Sequence, residues 1–270
     1  MDGVLRARHI VRSDGIAIAD VRCSHRAGRG RTEHAGGHAV VFVRRGCFVR
    51  DAGGVETLLD PTVAYFTNPG DEQRFDHPHS HGDDCTAIQL DAELVASLWG
   101  GDPALPAGPL RTSPAIDLEH RLLLAASRRG DDPHELVERA LALTADALER
   151  VDARRVAAGR PATAHARRAL ADGAREALAA DPDLSLPELA EALAVSPHHL
   201  SRVFRTATGH TVARHRMRLR ARAALERLAG GERSLARLAA ELGFSDQSHM
   251  SRVLLRETGR TPSALRHALA

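Results

Sequence analysis

The chain of 270 residues contains no lysine and a single asparagine, Asn68, so all 37 of its permanently cationic side chains are arginines. That bias points to a bacterial genome of high GC content and carries no functional information. Cysteine is also scarce. Cys23, Cys47 and Cys85 form no C-x-x-C pair and leave an odd count, which argues against a disulfide framework and for a reducing, cytoplasmic setting. The opening MDGVLRARHI holds no apolar run of signal-peptide or membrane-span length, so no membrane partner is expected. Aromatics make up 3% of the residues, with Tyr65 and Trp99 the only Tyr and Trp, so no aromatic motif discloses the chemistry of a ligand.

A formal charge of +2 conceals a strong asymmetry. From Arg160 to the end there are 18 arginines against 11 acidic residues, whereas the preceding 159 residues hold 19 and 24. A basic C-terminal part follows an acidic N-terminal one, as expected if only one of them meets phosphate. The length suffices for two domains with cores of their own.

The C-terminal part says nearly the same thing twice. SLPELAEAL from Ser185 leads through AVSP to LSRVFRTATGHT from Leu200, and SLARLAAEL from Ser234 leads through GFSD to MSRVLLRETGRT from Met250. The offset is 49 residues at Ser185/Ser234 and 50 from Leu200/Met250 onward, so one residue is inserted near the second turn. Each copy predicts two short helices around a tight turn. Leu186, Leu189, Ala190 and Leu193 make one helical face. Ser185 and Glu188 have the spacing of a capping box. Ser196 is placed to cap the next helix, with Pro197 at its first position. In the second copy Gly243 suits a left-handed turn, and Ser245 or Asp246 is placed to cap the second helix of that unit. Leu200, Val203 and Phe204 are expected to face inward, as are Met250, Val253 and Leu254. That leaves His198, Ser201, Arg202 and Arg205 on the outer side of one helix, and Gln247, Ser248, Ser251 and Arg252 on the outer side of the other. Between them, Val212 to about Leu228 predicts a connecting helix with an apolar stripe of Met217, Leu219, Ala223, Leu225 and Leu228.

The stretch from about Ala164 to Arg266 resembles the DNA-binding domain of AraC-type transcriptional regulators, which have two helix-turn-helix units joined by a long helix. AAELGFSDQSHMSR (Ala239 to Arg252) and the following TGRTP (Thr258 to Pro262) carry the resemblance most specifically. Leu254 stands where the family usually has Phe, and Leu255 where a basic residue is common, so the second unit is expected to lack one phosphate contact. The resemblance implies specific binding to double-stranded promoter DNA, with two recognition helices in successive major-groove turns. It also implies an activator that recruits RNA polymerase, with repression by site occlusion as the alternative. Arginine can bond guanine O6 and N7 in bidentate fashion, and glutamine adenine N6 and N7. Arg202, Arg252 and Gln247 are therefore candidate base readers, while His198, Ser201, Ser248 and Ser251 can reach bases or phosphates. Arg205 reads as a phosphate contact.

The N-terminal half predicts short strands separated by turns from about Ile10 to Leu90: VVFV (Val40 to Val43), CFVR (Cys47 to Arg50), VETLL (Val55 to Leu59), VAYF (Val63 to Phe66) and CTAIQL (Cys85 to Leu90). Such a pattern implies a jelly-roll sandwich or barrel, and the overall class is α+β with an all-α C-terminal domain. The resemblance implies a cupin-like sensory domain here. NPGDEQ (Asn68 to Gln73) is similar to the second cupin motif, with Gln73 where a metal-binding His often stands. His34 and His38 are four residues apart, and His77, His79 and His81 alternate just before Cys85. Imidazole and thiolate suit zinc or copper, but Pro78, Ser80, Gly82 and two aspartates make the stretch a polar loop. No metal, no other cofactor and no catalytic residue are therefore expected. The alternative is a cupin-like metal-binding or enzymatic domain fused to a DNA-binding one.

Helices are expected at 91–99 with Asp91 as cap, at 117–128 from Asp117, and at 133–151. The last carries a stripe of Leu136, Ala140, Leu143, Ala147 and Val151 that either packs on the β-domain or pairs two chains into a homodimer. The expected division is 1–151 for a sensory or dimerisation domain responsive to a small-molecule effector, 152–164 for a linker, and 165–270 for the DNA-binding domain.

Overall fold

The computed structural model describes residues 4–24, 28–78, 82–99, 101–155 and 161–269. His79 and His81 lie outside these, as does the middle of the expected linker (156–160). The chain divides into two compact units, Met1–Val156 and Ala157–Ala270.

Among the described residues, ten strands and three helices build the first unit: β1 (Val4–Ser13), β2 (Ile16–Ser24), β3 (Gly28–His34), β4 (His38–Arg45), β5 (Phe48–Ala52), β6 (Val55–Leu59), β7 (Val63–Thr67), β8 (Glu72–His77), β9 (Asp83–Leu90), α1 (Ala92–Leu98), β10 (Pro109–Arg111), α2 (Pro114–Arg129) and α3 (Pro133–Arg155). The strands form two antiparallel sheets, ordered β1-β2-β9-β4-β7-β10 and β3-β8-β5-β6. From β2 to β9 the chain crosses repeatedly between the sheets, which is the jelly-roll connectivity of a cupin-like domain.

Both faces of the larger sheet are covered. Val41, Val43, Val63, Tyr65 and Cys85 point between the sheets, against Phe48, Leu59 and Phe75 of the smaller one. The alternate residues Ile18, Val40, Phe42, Ala64, Phe66 and Ile88 point the other way, onto the helices. This two-sided burial is the reason the β4 sequence is a continuous apolar run rather than an alternating one. Fully burying each such Val or Phe contributes roughly 1.5–3 kcal/mol.

The stripe on α3 is spent on this core. Leu136, Ala140, Leu143 and Ala147 are buried with Val95, Ile116 and Leu123, and Val151 packs beside them. It therefore closes the unit on the β-sheet side and is not open to a second copy. Asp91 caps α1, accepting from the Leu94 N–H at 2.8 Å. The next helix starts earlier than expected. Ser113, not Asp117, caps α2, and Pro114 occupies its first turn. Asp117 is buried inside that helix instead.

Asn68 explains the irregular segment after α1. Its amide donates to the Leu105 carbonyl at 3.0 Å and accepts the Leu105 N–H at 2.7 Å, holding a buried leucine under the loop. Gln73, in the cupin-like motif, is buried and accepts from Arg50 Nε at 2.9 Å. His38 is buried beside Asn68, whereas His34 is exposed, so these two do not converge on one point.

Among its described residues the second unit is all-helical: α4 (Pro161–Ala180), α5 (Leu186–Ala192), α6 (Pro197–Thr208), α7 (Val212–Ala229), α8 (Leu235–Glu241), α9 (Gln247–Thr258) and α10 (Pro262–Leu269). Helices α3 and α4 thus run into both ends of the segment expected as linker. Among the described residues no helix is long and apolar enough to cross a membrane.

Candidate nucleic-acid interface

The two copies of the repeat fold as two helix-turn-helix units, α5–α6 and α8–α9, on either side of α7. In the first, Ser185 and Glu188 form the capping box in full. The Ser185 hydroxyl accepts the Glu188 N–H, and the Glu188 carboxylate accepts the Ser185 N–H at 2.8 Å. Hydrogen bonds from Ser185 hold that carboxylate below its ordinary pKa. The Ser196 hydroxyl caps α6, and α6 ends on Gly209 in the left-handed conformation. In the second copy Asp246, not Ser245, caps α9. It accepts the His249 N–H at 2.6 Å, and that backbone bond depresses its pKa. Gly259 closes α9 as Gly209 closes α6.

Leu200, Val203 and Phe204 are buried, as are Met250, Val253 and Leu254. The opposite faces carry the candidate DNA contacts. His198, Arg202, Arg205, Gln247, Ser248 and Arg252 are exposed, and Ser201 and Ser251 are half-buried. Ser251 donates to the Gln247 carbonyl at 2.8 Å, which leaves only its lone pairs to face outward. Leu255 is 48% exposed, an apolar spot on α9 at a position that itself supplies no cation.

The arginines of this unit sort into two kinds. The guanidinium groups of Arg202, Arg205 and Arg252 make no hydrogen bond or ion pair among the described residues, although Arg252 lies close enough to favour the Asp246 anion. Others are committed to the fold. Arg227 and Arg237 both bond Glu232, at 3.1 and 2.6 Å, and Arg227 reaches Glu241 at 2.7 Å. Arg216 donates to the Leu184 carbonyl just before α5, and burial lowers its pKa. Arg220 donates both to the carbonyl of Gly243 in the α8–α9 turn and to the Asp183 carboxylate. Arg220 therefore ties the entry of one helix-turn-helix unit to the turn of the other. Nothing in the local sequence pattern signals this, because its partners are 37 and 23 residues away.

The connecting helix departs from its expected stripe. Its buried side chains are Val212, His215, Ala221, Arg222, Ala224, Leu225 and Leu228, whereas Met217, Leu219 and Ala223 are half-buried. Helix α7 packs on α6, α8, α9 and α10, so no single face of it is the inner one. Its 18 residues span about 27 Å at ~1.5 Å per residue.

Equivalent turns show how the same geometry is met by different residues. Gly243 has φ +69°, and its counterpart 49 positions earlier, Ala194, has φ +53°. A Cβ on Gly243 would stand 2.7 Å from a guanidinium nitrogen of Arg220 and 3.0 Å from an Asp183 oxygen. The exposed Ala194 has its methyl in the open.

Residues 189–268 match a family model described as a helix-turn-helix domain. Among solved structures the chain is similar to ToxT from Vibrio cholerae, with 10% identity, covering 96% of this chain and 100% of that one (TM-score 0.39). It is also similar to a transcriptional regulator with an AraC-type DNA-binding domain from Chromobacterium violaceum, at 23% identity over 39% of this chain and 96% of that one (TM-score 0.37). A third is the Cnp3 cupin domain of Schizosaccharomyces pombe, at 9% identity over 36% and 68% (TM-score 0.30). No curated protein sequence matches. The span of that model holds α6, α8 and α9 whole, with the caps and outward arginines of α6 and α9. The C-terminal unit thus carries a helix-turn-helix domain, and a jelly-roll unit precedes it.

Proposed function

We propose that α6 and α9 are recognition helices that enter successive major-groove turns on one face of promoter DNA. The observation that supports this most is the equivalence of Arg202 and Arg252, one on each helix, both exposed and with guanidinium groups bonded to no protein group among the described residues. With the widths of the flanking units added, an α7 of about 27 Å suits reading heads ~34 Å apart. In this reading Arg202 and Arg252 bond guanine, Gln247 bonds adenine, and Arg205 meets phosphate. His198, Ser201, Ser248 and Ser251 supply shorter contacts to base edges or backbone. Binding, not catalysis, is the whole of the activity proposed.

The N-terminal unit, about residues 1–151, receives a small-molecule signal, and a linker within 152–164 passes it to residues 165–270. The output is activation through contact with RNA polymerase. If two chains pair, they do so through surfaces other than the buried stripe of α3. Selection of binding sites from random duplexes with the full-length chain tests the core of the proposal. Two preferred blocks about one helical turn apart, with a steep salt dependence, are expected. Arg202→Ala and Arg252→Ala should each cost ~1–3 kcal/mol and relax preference at one position. A uniform loss across all sequences would reduce these arginines to backbone anchors.

A further inference from the structure

The chain has three cysteines, and all three are buried in the jelly roll. Two of them, Cys23 and Cys85, lie beside Asp83. Cys23 and Asp83 are register partners on β2 and β9, so their side chains are neighbours on the face that looks between the sheets. His77, at the end of β8 in the other sheet, meets the Asp83 carboxylate with Nε2 at 2.9 Å. One donor atom each from Cys23, His77 and Asp83 lies within 4.8 Å of the others, and all three residues are buried. Cys85 Sγ is 3.7 Å from the same carboxylate.

The backbone around the cluster is drawn tight. Gly82 has φ +68°, and a Cβ there would stand 2.3 Å from the Cys23 carbonyl oxygen; a Cβ on Gly46 would stand 2.5 Å from the Gly82 carbonyl oxygen. The end of β2, the turn between β4 and β5 and the start of β9 are thus held together at one place. A buried carboxylate is costly unless a cation or strong donors accompany it. Arg44, which bonds the Cys85 carbonyl, is engaged by Asp20.

We propose that Cys23, His77 and Asp83 form a binding site for a divalent ion of the zinc type inside the jelly roll. A thiolate, an imidazole and a carboxylate are zinc donors at ~2.3, ~2.0–2.1 and ~2.0–2.2 Å. Donors on one tetrahedral shell of that size stand roughly 3.4–3.7 Å apart, so an ion opens the His77–Asp83 pair from 2.9 Å by roughly 0.5 Å and fits among donors that all lie within 4.8 Å of one another. Three protein ligands leave a fourth position for water or an exogenous ligand. On binding, the Cys23 thiol gives its proton to solvent, so affinity rises with pH. The position is distinct from that suggested by the sequence motif, since Gln73 is bonded to Arg50. The site stands apart from the DNA-binding reading, because its test needs no DNA.

The experiment is titration of the chelator-treated full-length protein with Co²⁺, followed by displacement with Zn²⁺. One equivalent should produce thiolate-to-cobalt charge transfer and the visible bands of a tetrahedral centre, and Zn²⁺ should abolish both. His77→Gln and Asp83→Asn should weaken uptake at least ~10-fold. Cys23→Ser should remove the charge-transfer band, while Cys47→Ser and Cys85→Ser keep it. Absence of that band in the unaltered protein overturns the proposal whatever the variants do. Its survival in a folded Cys23→Ser protein overturns it equally. Uptake without thiolate character would assign the ion to surface histidines and likewise overturn the site.

Discussion

Replacing Ala194 by glycine should make the protein more stable. Ala194 sits in the turn between α5 and α6 with φ +53°, the left-handed region in which the repeat's second copy has Gly243. An L-residue with a Cβ pays roughly 1–2 kcal/mol for that conformation. Glycine removes the cost, but its freer unfolded chain returns about 0.4–1 kcal/mol of it. The net gain is about 0.5–1 kcal/mol, and the Ala194 N–H bond to the Glu191 carbonyl is retained. For a unit of this size that is a rise in Tm of roughly 2–5 °C. The reciprocal change supplies the control. Gly243→Ala incurs the same backbone cost and also drives a methyl into Arg220 and Asp183, so it should lose about 2 kcal/mol or more. Urea unfolding monitored by circular dichroism, with DNA affinity measured in parallel, reads both. Affinity of Ala194→Gly should not change, because the turn keeps its shape. If Ala194→Gly is neutral or destabilising, the first turn is not left-handed in solution, and the structural equivalence of the two copies fails.

Arg220→Met should loosen the link between the two reading heads. It should cost about 1–2 kcal/mol of stability and broaden the range of spacings tolerated between the two operator blocks; an unchanged spacing profile would show that α7 alone sets the separation. Glu232 is held at a pKa of about 2 by bonds from Arg237, the Ser234 backbone and Arg227. Its folded pKa lies below the unfolded one, so its contribution is complete above the ordinary carboxylate range and is lost as pH falls from about 4.5 towards 2. Glu232→Gln should flatten the acid limb of the stability profile over that window, as seen by thermal melts at stepped pH. Asp20→Ala strands the buried Arg44 guanidinium and should destabilise the jelly roll by about 3–5 kcal/mol; an effect under about 1 kcal/mol would mean that Arg44 finds water or another acceptor.

The sequence by itself determined the parts whose causes are local. Caps, the left-handed turns and the 3.6-residue apolar spacing act within a few positions, so Ser185, Glu188, Ser196, Leu200 and Phe204 could be placed from the repeat alone. The same locality made the outward faces of α6 and α9 legible, and with them the candidate DNA contacts. Strands β4, β5, β6, β7 and β9 were legible from apolar runs and turn residues, whereas the more polar β1, β3 and β8, together with β2 and β10, were not. The surfaces those runs pack against were not. An apolar β4 looks the same whether one face is covered or two, and the α3 stripe looks the same whether it meets a sheet or a second chain. Only the assembled sandwich decided both. The mixed pattern of α7 misled for a related reason, since a helix packed on several sides has no one stripe to read. The clamp made by Arg220 and the Cys23–His77–Asp83 cluster were beyond any local reading. Each joins residues tens of positions apart, and it is strand register and helix packing, not spacing along the chain, that bring such side chains together.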